Sequence, residues 1–180
     1  LNVQCATAIY TGMMTDTGNF TYNSNKSDIY FIIEELVKKG IDKDKIYTKV
    51  FNTNSVDKIR LNGYATSEKL EIFPGYKTAM ITLTREELNR YHYRKGDSEG
   101  LVNVPLSIEG VVFSAFFREE KEYIKVSLRS KGNFPANKVA SEYFNGGGHM
   151  NAAGGEFYGT MEEIIERFKN LLPMYVQYLQ

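Results

Sequence analysis

The sequence of 180 residues contains a single cysteine, Cys5. An intramolecular disulfide framework and a cysteine-rich zinc site are both excluded on that ground. A lone thiol fits a reducing compartment, and the expected location is the cytoplasm. Histidine is nearly as scarce: His92 and His149 are the only two, and neither stands beside an aspartate. Net charge is lacking too, since 22 Lys and Arg balance 22 Asp and Glu. A chain without positive excess is not expected to coat long nucleic acid, although a small phosphorylated ligand needs only a few local donors. The longest apolar run, around Val111 to Phe117, is interrupted by Ser114 and is far too short to cross a bilayer. No membrane partner and no signal segment are expected. Internal repeats and low-complexity tracts are absent.

What is present reads as an α/β chain. Cys5, Ile9 and Met13 recur every fourth residue and predict a short buried helix ending near Gly12. The run Thr15-Asp16-Thr17-Gly18-Asn19 has the composition of a turn. Ile29, Ile32, Ile33, Leu36 and Val37 trace the apolar stripe of a second helix, which Gly40 stops. A third helix is expected from about Asp44 to Phe51. Residues 52–71 are largely polar without the Pro or Ser-Gly density of a flexible tether, and Ser55 can cap a helix there.

The pattern then turns to β. Ala79, Ile81 and Leu83 alternate with Thr78, Met80 and Thr82. Strands are expected at 110–118 and 122–130. In the second, Ile124, Val126 and Leu128 take one face, with Lys125, Ser127 and Arg129 on the other. Two capping boxes, Thr84 with Glu87 and Thr160 with Glu163, open helices. Pro135 begins another, with Val139, Ala140, Tyr143 and Phe144 inward and Gly146-Gly147-Gly148-His149 breaking it. Met161, Ile164, Ile165, Phe168, Leu171 and Leu172 are the inward positions of the last helix.

Three features could carry chemistry. Asp16, in a turn held by the hydroxyls of Thr15 and Thr17, offers an oxygen ligand to a hard divalent cation. The local alternative is a turn carboxylate that caps Asn19 and Phe20. A further rival is the Asp-Thr-Gly of a dimeric aspartic protease, which the mixed pattern of the remaining chain disfavours. Gly146, Gly147 and Gly148 let backbone approach a ligand closely and can present N–H groups to an anion, and His149 can donate to a phosphate. Ala152-Ala153-Gly154-Gly155 follows at once, which points to tight packing. Arg129 can grip a phosphate if its strand faces a cleft, with Ser127 on the same face. Each has a plain alternative, a surface loop or a solvated strand face. His92, between Tyr91 and Tyr93, reads as a surface position.

Together these residues resemble one family. Tyr10 to Phe20, with Asp16 at its heart, is similar to the last metal-binding motif of the DHH phosphoesterases. Lys125-Val126-Ser127-Leu128-Arg129-Ser130 and Gly146-Gly147-Gly148-His149 with Ala152-Ala153-Gly154 resemble the DHH-associated C-terminal domain. The nearest resemblance is to the bifunctional oligoribonucleases and 3′-phosphoadenosine-5′-phosphate (pAp) phosphatases. The resemblance implies the tail of an α/β DHH domain at 1–52, a helical linker at 53–71 and a smaller α/β domain with a mixed sheet at 72–180.

It also implies two manganese ions that activate water at a cleft between domains. Asp16 would be a catalytic metal ligand, and Ser127, Arg129, Gly146, Gly147, Gly148 and His149 would hold a short oligonucleotide or pAp-type substrate. The family's other metal motifs do not occur in this sequence, which opens on Leu1, so sequence upstream is expected and the chain alone is expected to be inactive. A non-catalytic nucleotide-binding module, an exopolyphosphatase and a dinucleotide phosphodiesterase remain alternatives, and a homodimer is compatible with all of them.

Overall fold

The computed structural model describes residues 1–21 and 24–179. The chain divides into two compact units, Leu1–Asn54 and Ser55–Gln180.

The first unit is helical: α1 Val3–Asp16, α2 Ser27–Lys38 and α3 Lys43–Phe51. Its core is Ala6, Tyr10, Met14, Leu36, Ile41 and Ile46. The buried face of α1 is thus turned by one residue from the expected one. Cys5 and Ile9 are exposed, because the Tyr10 ring packs on Phe20 with centroids 5.7 Å apart and orients the helix. Nor does α1 stop at Gly12. A helical glycine costs only about 1 kcal/mol, and Thr7, Thr11 and Thr15 return their hydroxyls to carbonyls one turn back. On α2 only Leu36 of the expected stripe is fully buried, while Ile32 and Val37 are exposed. The stripe is wider than α1, which packs on it, can cover.

The second unit is a mixed α/β domain. Its order is α4 Val56–Ser67, β1 Leu70–Phe73, β2 Thr78–Leu83, α5 Arg85–Arg90, β3 Phe113–Glu119, β4 Ile124–Ser130, α6 Ala136–Tyr143, β5 Gly147–His149, β6 Ala152–Phe157 and α7 Met161–Leu171, with 3-10 turns at Leu101–Ser107 and Leu172–Tyr178. The sheet order is β1-β2-β3-β4-β6-β5. Only β2 and β3 run parallel, joined by a crossover that carries α5 and the first 3-10 turn. Two expectations change here. The segment read as a helical linker is helical and capped by Ser55 as expected, but its α4 belongs to the second unit, with Leu61 and Ala65 fully buried against Ile81, Leu83 and Phe116. The glycine run read as a break is strand β5, paired with β6.

Strand alternation divides the sheet's side chains between two faces. One face carries Met80, Phe113, Ala115, Phe117, Val126, Leu128, Ala153 and Phe157, and α6 and α7 close it with Val139, Phe144, Ile164 and Phe168. The other carries Ile81, Leu83 and Phe116, covered by α4, α5 and the Leu101–Ser107 turn. Central strand β2 is therefore buried on both faces, so its Thr/apolar alternation does not mark a wet side. Over β6 and β5 the second face has no such cover, and over β4 only the Leu101–Ser107 turn borders it. There β4 presents Lys125 exposed and Ser127 and Arg129 half-buried.

One ionic cluster fastens α4 and α5 to this sheet. Glu87 closes a capping box with Thr84, accepts from Tyr64 Oη at 2.6 Å and pairs with Lys69 Nζ at 2.8 Å. Burial pushes the Glu87 carboxyl up, but the bonds from Lys69, the Thr84 N–H and Tyr64 outweigh it and the pKa is lowered. The same contact pushes Tyr64 up to about 12. Glu163 closes an equivalent box at an exposed helix start. Urea unfolding is expected to show a loss of about 3 kcal/mol for Glu87→Ala and about 1 kcal/mol for Glu163→Ala. Because the folded pKa of Glu87 lies below its unfolded one, its contribution is complete above the unfolded pKa. It is lost as pH falls through the folded value, so the gap between wild type and Glu87→Ala should close on acidification.

Candidate functional site

The uncovered part of the sheet forms a cleft of about 950 Å³, with Ser127, Arg129, Gly146, Gly147, Ala152 and Gly154 in its lining. The strand register arranges it in rows. His149 on β5, Ala152 on β6 and Arg129 on β4 stand side by side. Gly147, Gly154 and Ser127 form the next row, and Glu156 and Lys125 the one after. Neighbouring strands lie about 4.8 Å apart, so His149 and Arg129 spring from strands roughly 10 Å apart with only the Ala152 methyl between them. Gly147 and Gly154 add no side chain. The result is a low floor between a guanidinium and an imidazole.

The floor is low because backbones press together beneath it. A Cβ on Gly146 would lie 2.0 Å from Gly154 O, and one on Gly155 would lie 2.1 Å from Phe144 O. Gly146 also donates its N–H to Ala140 O at 3.1 Å, closing the end of α6. That donor is therefore not offered to an anion, contrary to the expectation for the first glycine. Gly147 differs: a Cβ there would meet nothing within 4 Å. Packing does not require that glycine, and the space above it is open cleft. Gly148, whose Cβ would lie 2.6 Å from Ala152 O, serves packing and is not in the cleft lining. His149 is exposed and shares the row of Arg129, outside the lining proper.

Arg129 is held from behind. Its Nη1 donates to Leu128 O at 2.9 Å and Ala153 O at 3.4 Å, which are opposed across β4 and β6. Burial lowers its pKa and Glu99 opposes the shift. A guanidinium starts so high that it stays charged regardless. Its other nitrogens have no protein acceptor among the described residues, so they can serve a ligand.

Several contributors carried no sequence signal. Arg118 lines the cleft with its Nη1 on Ser98 Oγ at 2.6 Å, its Nη2 on Glu120 and its guanidinium 4.9 Å from the Tyr93 ring centre. Asn151 donates to Ser130 Oγ at 2.9 Å and Gly132 O at 3.0 Å, pinning the β5–β6 turn to the loop after β4. Nothing in a single sequence tells such an asparagine from an ordinary turn residue. Lys125 was legible as a polar-face residue but not as part of a site.

Asp16 lies in the first unit, exposed, as the last residue of α1 and not within a turn. The hydroxyls expected to hold it are engaged elsewhere: Thr15 with Thr11 O and Gly12 O, Thr17 with Met13 O. The capping alternative fails as well. Phe20 N–H donates to Thr17 Oγ1 at 2.9 Å and Asn19 N–H to Met14 O at 2.7 Å. The following turn is strained, with φ of 55°, 58° and 60° at Gly18, Asn19 and Phe20. Among the described residues no group of three or more His, Cys, Asp or Glu side chains could hold a metal ion. One carboxylate does not make a two-ion centre, so the described residues alone do not fit a manganese pair.

Residues 78–177, more than half of the chain, match the model of the DHHA1 domain. The chain belongs to the DHHA1 family. The matched stretch runs from β2 into the chain's last 3-10 turn and includes every residue that lines the cleft described above. The bifunctional oligoribonuclease and PAP phosphatase NrnA of Thermus thermophilus is 31% identical over 166 residues, covering 91% of this chain and 48% of that protein. The probable bifunctional oligoribonuclease and PAP phosphatase NrnA of Streptococcus mutans is 31% identical over 175 residues, covering 96% and 55%. The crystal structure of an exopolyphosphatase-related protein from Bacteroides fragilis is 57% identical with a TM-score of 0.96, covering 99% of this chain and 52% of that one. This DHHA1 chain thus spans about half the length of the curated relatives it matches.

The glycines can be sorted by experiment. Gly147→Ala is expected to unfold within about 1 kcal/mol of wild type, because its methyl enters open cleft. Gly146→Ala and Gly155→Ala should each lose about 3 kcal/mol or more, since backbone must move. Urea titration measures both. A Gly147→Ala loss as large as the others would mean that packing, not ligand space, requires this glycine.

Proposed function

We propose that this chain is the substrate-gripping portion, with one metal-ligand corner, of a manganese-dependent phosphoesterase acting on short oligoribonucleotides and pAp. The observation that carries the reading is the glycine-floored row. Arg129, anchored by two carbonyls, faces His149 across Ala152, with Ser127 and Gly147 alongside. Arg129 grips a terminal phosphate with its remaining N–H groups. His149, exposed in the same row at the rim of the cleft, donates to the same phosphate, and Ser127 bonds the sugar. Gly147 and Gly154 let the ligand lie against backbone. The names of the relatives from Thermus thermophilus and Streptococcus mutans support the substrate class. Asp16 contributes one carboxylate to the metals, and the chain by itself does not turn over substrate.

A second reading follows from the exopolyphosphatase-related relative, in which the ligand is polyphosphate. The two separate by competition, since a polyphosphate site has no preference for nucleosides.

Calorimetry with adenosine 5′-monophosphate is expected to show metal-independent binding to this chain. Arg129→Ala should weaken it at least tenfold and His149→Ala about threefold to tenfold, with both variants still folded by circular dichroism. Absence of binding at millimolar nucleotide, or binding indifferent to Arg129, would overturn the reading. Manganese-dependent release of mononucleotide from a dinucleotide by this chain, lost on Asp16→Ala, would overturn the claim of inactivity.

A further inference from the structure

The cleft continues past the phosphate-gripping row, and its next cation is unassigned. Lys125, Ser127 and Arg129 alternate along one face of β4, and all three line the cleft. Four residues of strand separate the Cα atoms of Lys125 and Arg129 by roughly 13 Å, with Ser127 midway. Of the other charges in the lining, Lys95 and Glu99 make no ion pair among the described residues, whereas Arg118 and Glu156 are engaged. Arg118 is tied to Glu120 and to Ser98. Glu156 stands opposite Lys125 in the register, but its carboxylate accepts from Tyr158 Oη at 2.8 Å. Lys125 is exposed and, among the described residues, makes no ion pair within 4.0 Å. The Lys125 ammonium is therefore left without a carboxylate partner among the described residues, on the same strand face as Arg129.

We infer that Lys125 is a second anion contact, and that the cleft selects ligands carrying two phosphates separated by a sugar over those carrying one. The inference rests on the proposed phosphate grip at Arg129. Arg129 is fixed at its end of the row by Leu128 O and Ala153 O, so it cannot slide toward Lys125. A ligand must bridge the gap itself. A nucleoside 3′,5′-bisphosphate or a 5′-phosphorylated dinucleotide sets its phosphates on either side of a ribose, which then lies over Ser127 and the bare Gly147–Gly154 row. Directly linked phosphates, as in pyrophosphate, sit too near one another for both cations to hold them. Lys125 is a specificity residue here and takes no part in bond breaking.

The test is calorimetric binding of adenosine 5′-monophosphate, adenosine 3′,5′-bisphosphate and inorganic pyrophosphate to the wild-type chain and to Lys125→Ala, Lys125→Arg and Lys95→Ala. Lys95 also lines the cleft but lies off β4, so its removal controls for lost charge alone. The bisphosphate is expected to bind wild type about tenfold more tightly than the monophosphate. Lys125→Ala should abolish that advantage and leave monophosphate and pyrophosphate binding unchanged. Lys125→Arg should keep the advantage, and Lys95→Ala should preserve the ratio. Equal loss for all three ligands in Lys125→Ala, or the same change of ratio in Lys95→Ala, would overturn the assignment. If the nucleotides bind through Arg129 but Lys125→Ala changes nothing, the second contact falls and the first reading stands. If neither nucleotide binds wild type, both fall.

Discussion

The close approach of three backbone segments, the end of α6, β5 and β6, is the constraint on which the candidate site depends. Gly146 and Gly155 meet at distances that no side chain tolerates, and this pulls a short edge strand against β6. An edge strand of three residues has little pairing of its own. What keeps it in place is the glycine contact, the Gly146 N–H on the end of α6, and the Asn151 side chain that ties its turn to the loop after β4. The sheet is thereby extended by one strand whose inner residues have almost no side chain. A surface of bare peptide results where a sheet would ordinarily carry a layer of side chains or a helix.

That surface exists only because the second face of the sheet is covered unevenly. Helices α4 and α5 and the Leu101–Ser107 turn close it over β1, β2 and β3, and there the residues are apolar. Beyond β3 the same face carries Arg129, Ser127 and Lys125. Apolar cover there would leave a guanidinium without water or partner, at a cost of several kcal/mol. The half-buried position of Arg129 resolves this. Backbone carbonyls take one side of its head and the cleft receives the other. The same carbonyls fix its direction, so less side-chain entropy remains to be lost when it meets an anion.

The second unit was legible in sequence where its signals were local. The two capping boxes, the alternation in β4 and the inward stripe of α7 all depend on residues within one or two turns of each other, and the structure has them as expected. Readings failed where a choice was made at long range. Cys5-Ile9-Met13 and Ala6-Tyr10-Met14 have the same period, and only the contact of Tyr10 with Phe20 decides which faces inward. Segment 53–71 reads as polar because Leu61 and Ala65 are few, yet both are fully buried under the sheet. Gly146–His149 reads as a break because a glycine run carries no strand propensity. Its strand is imposed by β6. The site shows the same division. Arg129 and the glycines announced themselves by type, whereas Lys125, Arg118 and Asn151 acquire their places only from register and packing.

A chain of zero net charge can still concentrate positive potential, because what counts near a phosphate is the pairing of each cation and not the sum over the chain. In the cleft Arg118 is neutralised by Glu120, and Glu156 is turned to Tyr158. Glu99 faces Arg129 from a distance, where it tempers the charge without forming a pair. Two cations remain unneutralised on one strand, spaced by the strand's own repeat. A sheet fixes such spacing more tightly than a loop, since a slip of one residue would turn Lys125, Ser127 and Arg129 into the apolar core together. The geometry that supports selection of phosphate spacing is thus protected by the same alternation that holds Ile124, Val126 and Leu128 inside.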